Sequence, residues 1–160
     1  MKNKAAFLDR DGVINKKRDD YVKSLDEFEI LDGVAESIKI LRDNGFLVII
    51  ITNQSAIDRK LLSIKSLDAI HYELKKYLKK NNTYLDSIYF CPHKPEANCD
   101  CRKPKPGLIF KASKEFNIDL KKSFFIGDSL TDLGAANNAG CEGILLEKQQ
   151  SLLELIKKIL

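Results

Sequence analysis

The chain has 160 residues, of which 44% are hydrophobic and 31% are charged, and its formal net charge at pH 7 is +4. This length and composition are typical of one globular domain, here residues 1–160, with a sizeable core. The positive charge is small and spread along the chain. It therefore does not indicate nucleic acid binding, and it is compatible with an anionic small-molecule ligand.

The same sequence offers no candidate for a membrane-spanning segment. No apolar run approaches the ~20 residues needed to span a bilayer. The basic start at residues 1–4 is followed by only four apolar residues and then Asp9, which does not fit a signal peptide. We therefore expect a cytoplasmic protein without a membrane partner, and we expect a monomer.

The N-terminal region predicts a buried strand that ends in carboxylates. Residues 5–8 are an apolar run, Asp9 and Asp11 follow it, and Gly12 allows a sharp turn. Taken alone, this pattern could equally be a polar turn. In a parallel α/β sheet, however, ligands bind beyond the carboxyl ends of the strands, and the two carboxylates would meet there.

The rest of the chain alternates between predicted helices and strands. This alternation predicts an α/β, Rossmann-like fold, with a parallel sheet and helices on both faces. Residues 15–26 are too few for a cap domain and are predicted to form a loop over the crevice. His71 lies beside the apolar stripe of its helix and is interpreted as a packing or surface residue. The predicted helices cover residues 34–44, 63–80, 106–117, 131–138 and 151–160, and the later strands cover residues 46–51, 85–90, 123–126 and 143–146.

Three of the four cysteines cluster around a histidine. Cys91, His93, Cys99 and Cys101 provide three thiolates and one imidazole, which complete a tetrahedral zinc shell without an open position. The alternative is a chance grouping of cysteines. We predict a structural zinc-binding loop over residues 91–106, while Cys141 stands apart and is expected to be a buried apolar residue.

Several predicted strand ends carry polar groups that suit phosphoryl transfer. A carboxylate can act as a nucleophile and split one difficult displacement into two easier ones. Carboxylates can also hold a cation, most suitably Mg²⁺, while a lysine and a hydroxyl neutralise charge on the phosphoryl oxygens. The candidate groups are Asp9, Asp11, Thr52, Lys103, Asp128 and Asp132.

This set resembles the haloacid dehalogenase superfamily of phosphatases. The shared motifs are Asp-x-Asp-Gly at residues 9–12, Thr52, Lys103, and Gly-Asp-x-x-x-Asp at residues 127–132. The resemblance implies that Asp9 is the nucleophile and Asp11 the general acid/base. It also implies that Thr52 and Lys103 hold the phosphoryl group.

The resemblance further implies the metal ligands and the substrate contacts. Mg²⁺ would be held by the side chains of Asp9 and Asp128 and by the backbone carbonyl of Asp11. Asp132 would support Lys103 or the metal without touching the substrate. The narrower resemblance to the heptose phosphatases, given below, implies that Arg102 pairs with the phosphate that is not cleaved. The expected substrate-binding residues are Arg10, Asn53, Gln54, Ser55, Arg59, Arg102 and Ser129.

Within the superfamily, the zinc loop followed by residues 101–107 is similar to two phosphatase families. One acts on D-glycero-D-manno-heptose 1,7-bisphosphate and the other on histidinol phosphate; the motifs are closer to the heptose family. Departures from that family's pattern are Ala56, Lys60 and Ser129, and they affect the expected substrate contacts. A module that binds phosphate without catalysis is a third, remote alternative.

Overall fold

A five-stranded parallel sheet forms the centre of the protein in the computed structural model, which describes residues 1–160. The strand order is β3-β2-β1-β4-β5, and all neighbouring pairs are parallel. This architecture confirms the predicted fold class. The strands are β1 (Lys4–Leu8), β2 (Phe46–Asn53), β3 (Ser87–Cys91), β4 (Phe124–Gly127) and β5 (Glu142–Leu145); the helices are α1 (Val34–Asp43), α2 (Ile64–Lys80), α3 (Gly107–Glu115), α4 (Leu130–Ala139) and α5 (Leu152–Ile159).

The central strands are apolar on both faces because both faces are covered. Side chains alternate across a strand, so Leu8 points to one face together with its register partners Ile50 and Ile126. Phe7 belongs to the opposite face, where it packs in a cluster with Phe125. The near-continuous hydrophobic runs of the sequence follow from this burial on both sides.

Helices occupy both faces of the sheet. The buried side chains of α1 and α5 join the core cluster on the Leu8 face, whereas those of α3 and α4 join the cluster on the Phe7 face. The C-terminal half of α2 packs with the first cluster, while its N-terminal half forms a smaller cluster with Val22 and Ala56. This smaller cluster attaches the segment after β1 to the body of the fold.

The strand boundaries differ slightly from the prediction at β2 and β3. Strand β2 continues through Thr52 and Asn53, which pair with Phe90 and Cys91. Strand β3 begins only at Ser87, because the side chain of Asp86 accepts a hydrogen bond from the Val48 N–H at 2.7 Å. The Asp86 N–H still donates to the Val48 carbonyl at 2.8 Å, so the side chain takes the place of a backbone acceptor for the Val48 N–H alone.

The carboxyl ends of β1, β2 and β4 lie at one edge of the sheet. Residues 9–33, between β1 and α1, contain one short 3-10 turn (Leu25–Glu27) and no inserted domain. The edge is therefore covered only by loops. None of the helices combines the length and the apolar character required to cross a membrane.

Candidate active site

A buried lysine lies between two carboxylates at the edge of the sheet. Lys103 Nζ lies 2.8 Å from Asp9 Oδ1 and 2.6 Å from Asp132 Oδ1, and it donates a hydrogen bond to the carbonyl of Ile51. Asp9 follows β1 and Asp132 lies in the first turn of α4, so three distant parts of the chain meet here. All three residues are buried. Such an arrangement fixes the position of each group.

One ammonium group between two buried carboxylates leaves an excess of negative charge. Burial, together with the charge of Asp132, raises the pKa of Asp9 to about 7 despite the attraction of Lys103. Burial lowers the pKa of Lys103, but the two carboxylates outweigh it and the net shift is upward. Lys103 is therefore charged at neutral pH, whereas the pKa of Asp9 is higher than that of an ordinary carboxyl.

Asp11 is held by side-chain hydrogen bonds on both oxygens. Its Oδ1 accepts bonds from Arg10 Nη2 at 2.9 Å and Asn15 Nδ2 at 3.0 Å, and its Oδ2 accepts one from Gln54 Nε2 at 2.8 Å. Burial pushes the pKa of Asp11 upward, but the charge of Arg10 and these hydrogen bonds bring it below its ordinary value. Asp11 is thus oriented and ionised in the resting site.

Asp128 completes a set of oxygen ligands that fits a divalent cation. Oxygen atoms of Asp9, Asp128 and Asp132 lie within 4.8 Å of one another. Asp128 Oδ1 is buried and accepts no hydrogen bond, while Oδ2 lies 3.5 Å from Lys17 Nζ, so one oxygen is available to bind a cation. A Cβ on Gly12 would lie 2.1 Å from Asp128 Oδ2, so glycine is required for this close approach. Carboxylate oxygens in this arrangement suit Mg²⁺.

Asp132 is engaged from several sides. Besides Lys103, its carboxylate accepts hydrogen bonds from the Asp128 N–H at 3.2 Å and from Ser129 Oγ at 2.9 Å. These bonds fix the turn that carries Asp128. The expected supporting position of Asp132 therefore agrees with its contacts.

A polar cavity of about 310 Å³ opens above Asp9, Asp11, Lys103 and Asp132, whereas Asp128 lines a neighbouring cavity with Gly12. Only two of its lining residues are hydrophobic, so it suits a charged or hydroxylated ligand. The loop after Asn15 forms one wall, as expected for a segment over the crevice. The lining residues are Asp9, Asp11, Lys17, Arg18, Asp19, Tyr21, Val22, Asn53, Gln54, Ser55, Arg102, Lys103, Ser129, Thr131 and Asp132.

Most of the residues expected to bind substrate line this cavity. They are Asn53, Gln54, Ser55, Arg102 and Ser129. Asn53 also holds Lys103, because its Oδ1 accepts a bond from the Lys103 N–H at 3.1 Å and its Nδ2 donates to the Lys103 carbonyl at 3.3 Å. The strand end thus positions the lysine through its backbone.

Three expected contacts lie outside the cavity lining. Arg10 is fully buried and directed towards α2, so the expectation that it binds substrate is corrected: a guanidinium enclosed by protein cannot reach a ligand. Arg59 is exposed and does not line the cavity, although its guanidinium lies 6.0 Å from the ring centroid of Tyr21, which does. Thr52 is fully buried and its hydroxyl accepts a bond from Gln54 Nε2 at 2.9 Å, so its contact with a phosphoryl group stays a prediction.

The sequence did not single out several residues that shape the site. Lys17, Arg18 and Tyr21 line the cavity, but their loop has no hydrophobic period that would have placed them. His71 lies 3.1 Å from Arg10 Nη1 through its Nε2 atom. Its position beside the apolar stripe of α2 was the available signal, and only the tertiary structure reveals its polar partner.

The cysteine cluster is compact. Sulfur–sulfur distances among Cys91, Cys99 and Cys101 are between 2.9 and 3.6 Å, and His93 Nδ1 lies 3.4 Å from Cys91 and 3.3 Å from Cys101. A tetrahedral zinc ion with bonds of about 2.3 Å separates its sulfur ligands by roughly 3.8 Å. None of the cysteines forms a disulfide. The four residues could therefore hold a zinc ion with little movement.

The protonation of these thiols is uneven. Burial raises the pKa of Cys91 and of Cys101. Burial acts in the same direction on Cys99, but hydrogen bonds from the N–H groups of Cys101 and Arg102 and from the neighbouring thiols lower the pKa of Cys99 to about 6. A cation is the partner that would allow all three to ionise.

The cysteine loop is connected directly to the cavity. Arg102 follows Cys101, and its Nη1 donates to the His93 carbonyl at 3.3 Å while the residue lines the cavity. Lys103 follows at once. The geometry of the cysteine loop therefore influences both cationic groups.

Comparison with known proteins agrees with this geometry. The family model of the haloacid dehalogenase-like hydrolases matches residues 2–140. A D-glycero-beta-D-manno-heptose-1,7-bisphosphate 7-phosphatase from Helicobacter pylori is 45% identical over 94% of this chain and 86% of its own length. A D-glycero-alpha-D-manno-heptose-1,7-bisphosphate 7-phosphatase from Campylobacter jejuni is 40% identical over 94% of this chain and 86% of its own.

Solved structures lead to the same family. The D,D-heptose 1,7-bisphosphate phosphatase of B. bronchiseptica, crystallised with magnesium and phosphate, has a TM-score of 0.89 and 34% identity. The match covers 98% of this chain and 97% of that one. Together with the carboxylates, the lysine and the absence of a cap domain, these similarities show that the chain belongs to the haloacid dehalogenase-like hydrolases.

Proposed function

We propose that this protein is a Mg²⁺-dependent phosphatase that removes the 7-phosphate of D-glycero-D-manno-heptose 1,7-bisphosphate through an aspartyl-phosphate intermediate. The observation that carries the proposal is the buried Lys103 between Asp9 and Asp132, with Asp11 on the same cavity. This constellation supplies a nucleophile, a proton-transfer group and a fixed positive charge. Relatives named for this reaction support the choice of substrate.

Asp9 is suited to act as the nucleophile. Its Oδ1 is anchored by Lys103 Nζ and by the Arg10 N–H at 2.8 Å, whereas Oδ2 accepts no hydrogen bond. A carboxylate held at one oxygen presents the other in a fixed direction, which favours in-line attack. The new bond joins the Asp9 carboxylate to phosphorus, and the bond from phosphorus to the sugar oxygen breaks.

Asp11 moves the proton in both steps. In the first step it protonates the departing sugar alkoxide, and in the second it removes a proton from the water that cleaves the aspartyl-phosphate. Its lowered pKa suits the second step directly. An incoming phosphate dianion adds negative charge nearby, which raises the pKa of Asp11 and favours the protonated form needed first.

Both metals have assigned positions in this proposal. The Asp9 and Asp128 side chains and the Asp11 carbonyl would hold Mg²⁺, which when bound neutralises charge on the phosphoryl oxygens. Lys103 would contact the same oxygens. Cys91, His93, Cys99 and Cys101 would hold a structural zinc ion, because four protein ligands leave no position for a substrate.

The proposed substrate carries a second phosphate, and its negative charge would be bound by positively charged side chains in the cavity wall. Arg102 provides such a charge, and Lys17 and Arg18 lie on the facing loop. A guanidinium can pair with a phosphate through two parallel hydrogen bonds. We assign Arg102 to the phosphate that is not cleaved, in line with its attachment to the cysteine loop through His93.

The cellular setting is part of the proposal. Free cysteines arranged as metal ligands support a reducing compartment, and we infer the cytoplasm. The partner is a small phosphorylated sugar, and we infer a monomer that does not bind nucleic acid.

A two-stage assay tests the function. Hydrolysis of p-nitrophenyl phosphate with Mg²⁺, abolished by EDTA and restored by excess Mg²⁺, is expected of the enzyme. Asp128→Asn should lose this activity, whereas the exposed Asp26→Asn is the matched control that should retain it. Absent hydrolysis would contradict the phosphatase proposal and would favour a binding module. Hydrolysis that persists in EDTA would contradict the role of Mg²⁺.

The second stage addresses the substrate. We expect kcat/KM for the heptose 1,7-bisphosphate, tested as both anomers, to exceed that for histidinol phosphate by a wide margin. Arg102→Ala should reduce the preference, because it removes the contact to the second phosphate. An equal or larger kcat/KM for histidinol phosphate would overturn the substrate assignment while leaving the reaction type intact.

A further inference from the structure

We propose that Arg10 and His71 form a positioning pair that holds the carboxylate of Asp11 in the geometry needed for proton transfer to the leaving group. This inference rests on the proposed function, in which Asp11 is the general acid. Neither residue touches the cavity, so neither is a catalytic residue. They act through Asp11 alone.

The contacts form an unbroken line from helix α2 to the site. Arg10 has no exposed surface, and its guanidinium donates from Nη2 to Asp11 Oδ1 at 2.9 Å. Its Nη1 lies 3.1 Å from His71 Nε2. The guanidinium carbon also lies 5.6 Å from the ring centroid of Phe28. Arg10 is therefore held on one side by a helix and on the other by the carboxylate.

The hydrogen bond between Arg10 and His71 has only one possible direction. An arginine side chain donates and never accepts, so His71 Nε2 must be the acceptor and the imidazole must be neutral with its proton on Nδ1. The surroundings agree: burial, with the charges of Arg10 and Lys75, lowers the pKa of His71 to about 3. The helix thus offers a neutral acceptor at every pH at which an enzyme of this kind works.

The pair provides support that the other partners of Asp11 do not. Asn15 and Gln54 also donate to Asp11, but both belong to segments that adjoin the cavity itself. Arg10 alone connects the carboxylate to the buried surface of α2. Without the His71 acceptor, Arg10 Nη1 would be buried without a hydrogen-bond partner, as Nε already is. Because an unpaired buried donor costs free energy, orientations of the guanidinium that no longer contact Asp11 would become more favourable.

A buried pair of this kind could also serve stability alone, and the leaving group separates the two roles. An alkyl phosphate needs a proton on its departing oxygen, whereas p-nitrophenolate is a weak base and leaves without one. Misplacement of Asp11 therefore lowers kcat/KM for the alkyl ester far more than for the nitrophenyl ester. A general loss of folded protein lowers both by the same factor.

The experiment compares kcat/KM for glycerol 2-phosphate and p-nitrophenyl phosphate, because kcat/KM reports the steps up to the first cleavage. We expect His71→Leu to lower it about 30-fold for glycerol 2-phosphate and about twofold for p-nitrophenyl phosphate. The loss is smaller than the roughly 10²–10⁴-fold that proton transfer contributes in full, because Asn15 and Gln54 still donate to Asp11. His71→Gln restores an acceptor and should recover most of the loss. Asp11→Asn serves as the reference for complete loss of proton transfer.

Two further variants keep the test decisive. If His71→Leu does not fold, His71→Met provides a flexible side chain without a strong acceptor and carries the same expectation. Leu78→Ala creates a cavity in the same helix without touching Arg10, and should lower stability while changing the ratio of the two substrates by less than twofold.

Each outcome has one meaning. Equal losses on both substrates, or no recovery in His71→Gln, would overturn the positioning role and leave a stability role. Equal losses in Asp11→Asn itself would overturn the assignment of Asp11 as general acid, and an inactive wild-type enzyme would overturn the proposed function. Either of these last two results would overturn both the positioning role of Arg10 and His71 and the proposed function on which it rests.

Discussion

The carboxylate site and the cysteine loop are both clusters of potential metal ligands, and they are assembled in opposite ways. The cysteine cluster takes its four ligands from residues 91–101, within one loop after β3. The carboxylate site joins Asp9, Lys103 and Asp132, which come from the start, middle and end of the chain. In the proposed function the loop would depend on a bound zinc ion for its shape, whereas the carboxylate site depends on the packed sheet.

This difference also explains how charge is balanced in the two regions. In the carboxylate site, the protein supplies its own cations: Lys103 for Asp9 and Asp132, and Arg10 for Asp11. In the cysteine cluster, no side-chain cation pairs with the three thiols, so in the proposed function the zinc ion would supply the positive charge. The predictions below test these two modes of assembly, in order of decreasing effect.

Removing the nucleophile should abolish turnover and preserve the fold. Asp9→Asn keeps the size of the side chain, and Lys103 retains Asp132 as a partner. We expect kcat for p-nitrophenyl phosphate to fall by roughly 10⁴-fold or more, as for other lost nucleophiles. Circular dichroism and the melting temperature should remain close to wild type. Near-normal turnover would reject the nucleophilic role of Asp9.

Removing the buried lysine should damage stability as well as activity. Lys103→Met leaves two buried carboxylates without a cation, which we expect to lower the free energy of unfolding by about 3–5 kcal/mol. Urea unfolding measures this change. The double variant Lys103→Met with Asp132→Asn removes one of the unpaired charges and should recover part of the stability but none of the activity.

The matched control for Lys103 is Lys114→Met on the exposed surface of α3, which should change stability little. If the double variant were no more stable than Lys103→Met, unpaired charge would not be the cause of the loss.

Removing the metal from the cysteine loop should act on both regions at once. Cys99→Ser, or treatment with a chelator selective for zinc, is expected to lower the melting temperature by roughly 8 °C. Activity should fall as well, because Arg102 and Lys103 follow the loop directly. Elemental analysis should give one zinc per chain for the wild type.

Cys141→Ala is the control for this experiment, since Cys141 is buried in the core and distant from the cluster in sequence. A full zinc content in Cys99→Ser, or an unchanged melting temperature after zinc removal, would contradict a structural metal in this loop.

The smallest expected effect is the loss of stability at acidic pH that His71, the partner of Arg10, causes. The pKa of His71 is lowered from 6.5 to about 3 in the folded state. Between these two pH values His71 is protonated in the unfolded chain and neutral in the folded chain. Its contribution to stability is therefore present above pH 6.5 and is lost as the pH falls towards 3. Between pH 7 and pH 5 this amounts to about 2 kcal/mol.

Urea unfolding of the wild type and His71→Gln at the two pH values isolates this term, because other titrating groups cancel in the difference. The wild type should lose more stability than the variant on acidification. Equal losses would show that His71 does not remain neutral in the folded protein.

The sequence predicted the position of those site residues that directly follow a strand, but it did not predict the direction of their side chains. Asp9, Thr52 and Asp128 stand at or directly after apolar runs, so their position at the edge of the sheet followed from the pattern. Arg10 stands in the same motif, yet its side chain turns into the protein instead of towards the cavity. Nothing in a local pattern indicates the direction in which a long side chain leaves a turn.

The sequence by itself determined the alternation of strands and helices, the edge of the sheet where carboxylates gather, and the composition of the cysteine loop. These features follow from local periodicity and short spacing, which act over a few residues. Only the tertiary structure decided that Lys103 bridges Asp9 and Asp132 and that His71 faces Arg10. Such pairs are created when helices pack on the sheet and water leaves the interface, because burial then gives each charge or hydrogen-bonding group a partner that no stretch of sequence can specify alone.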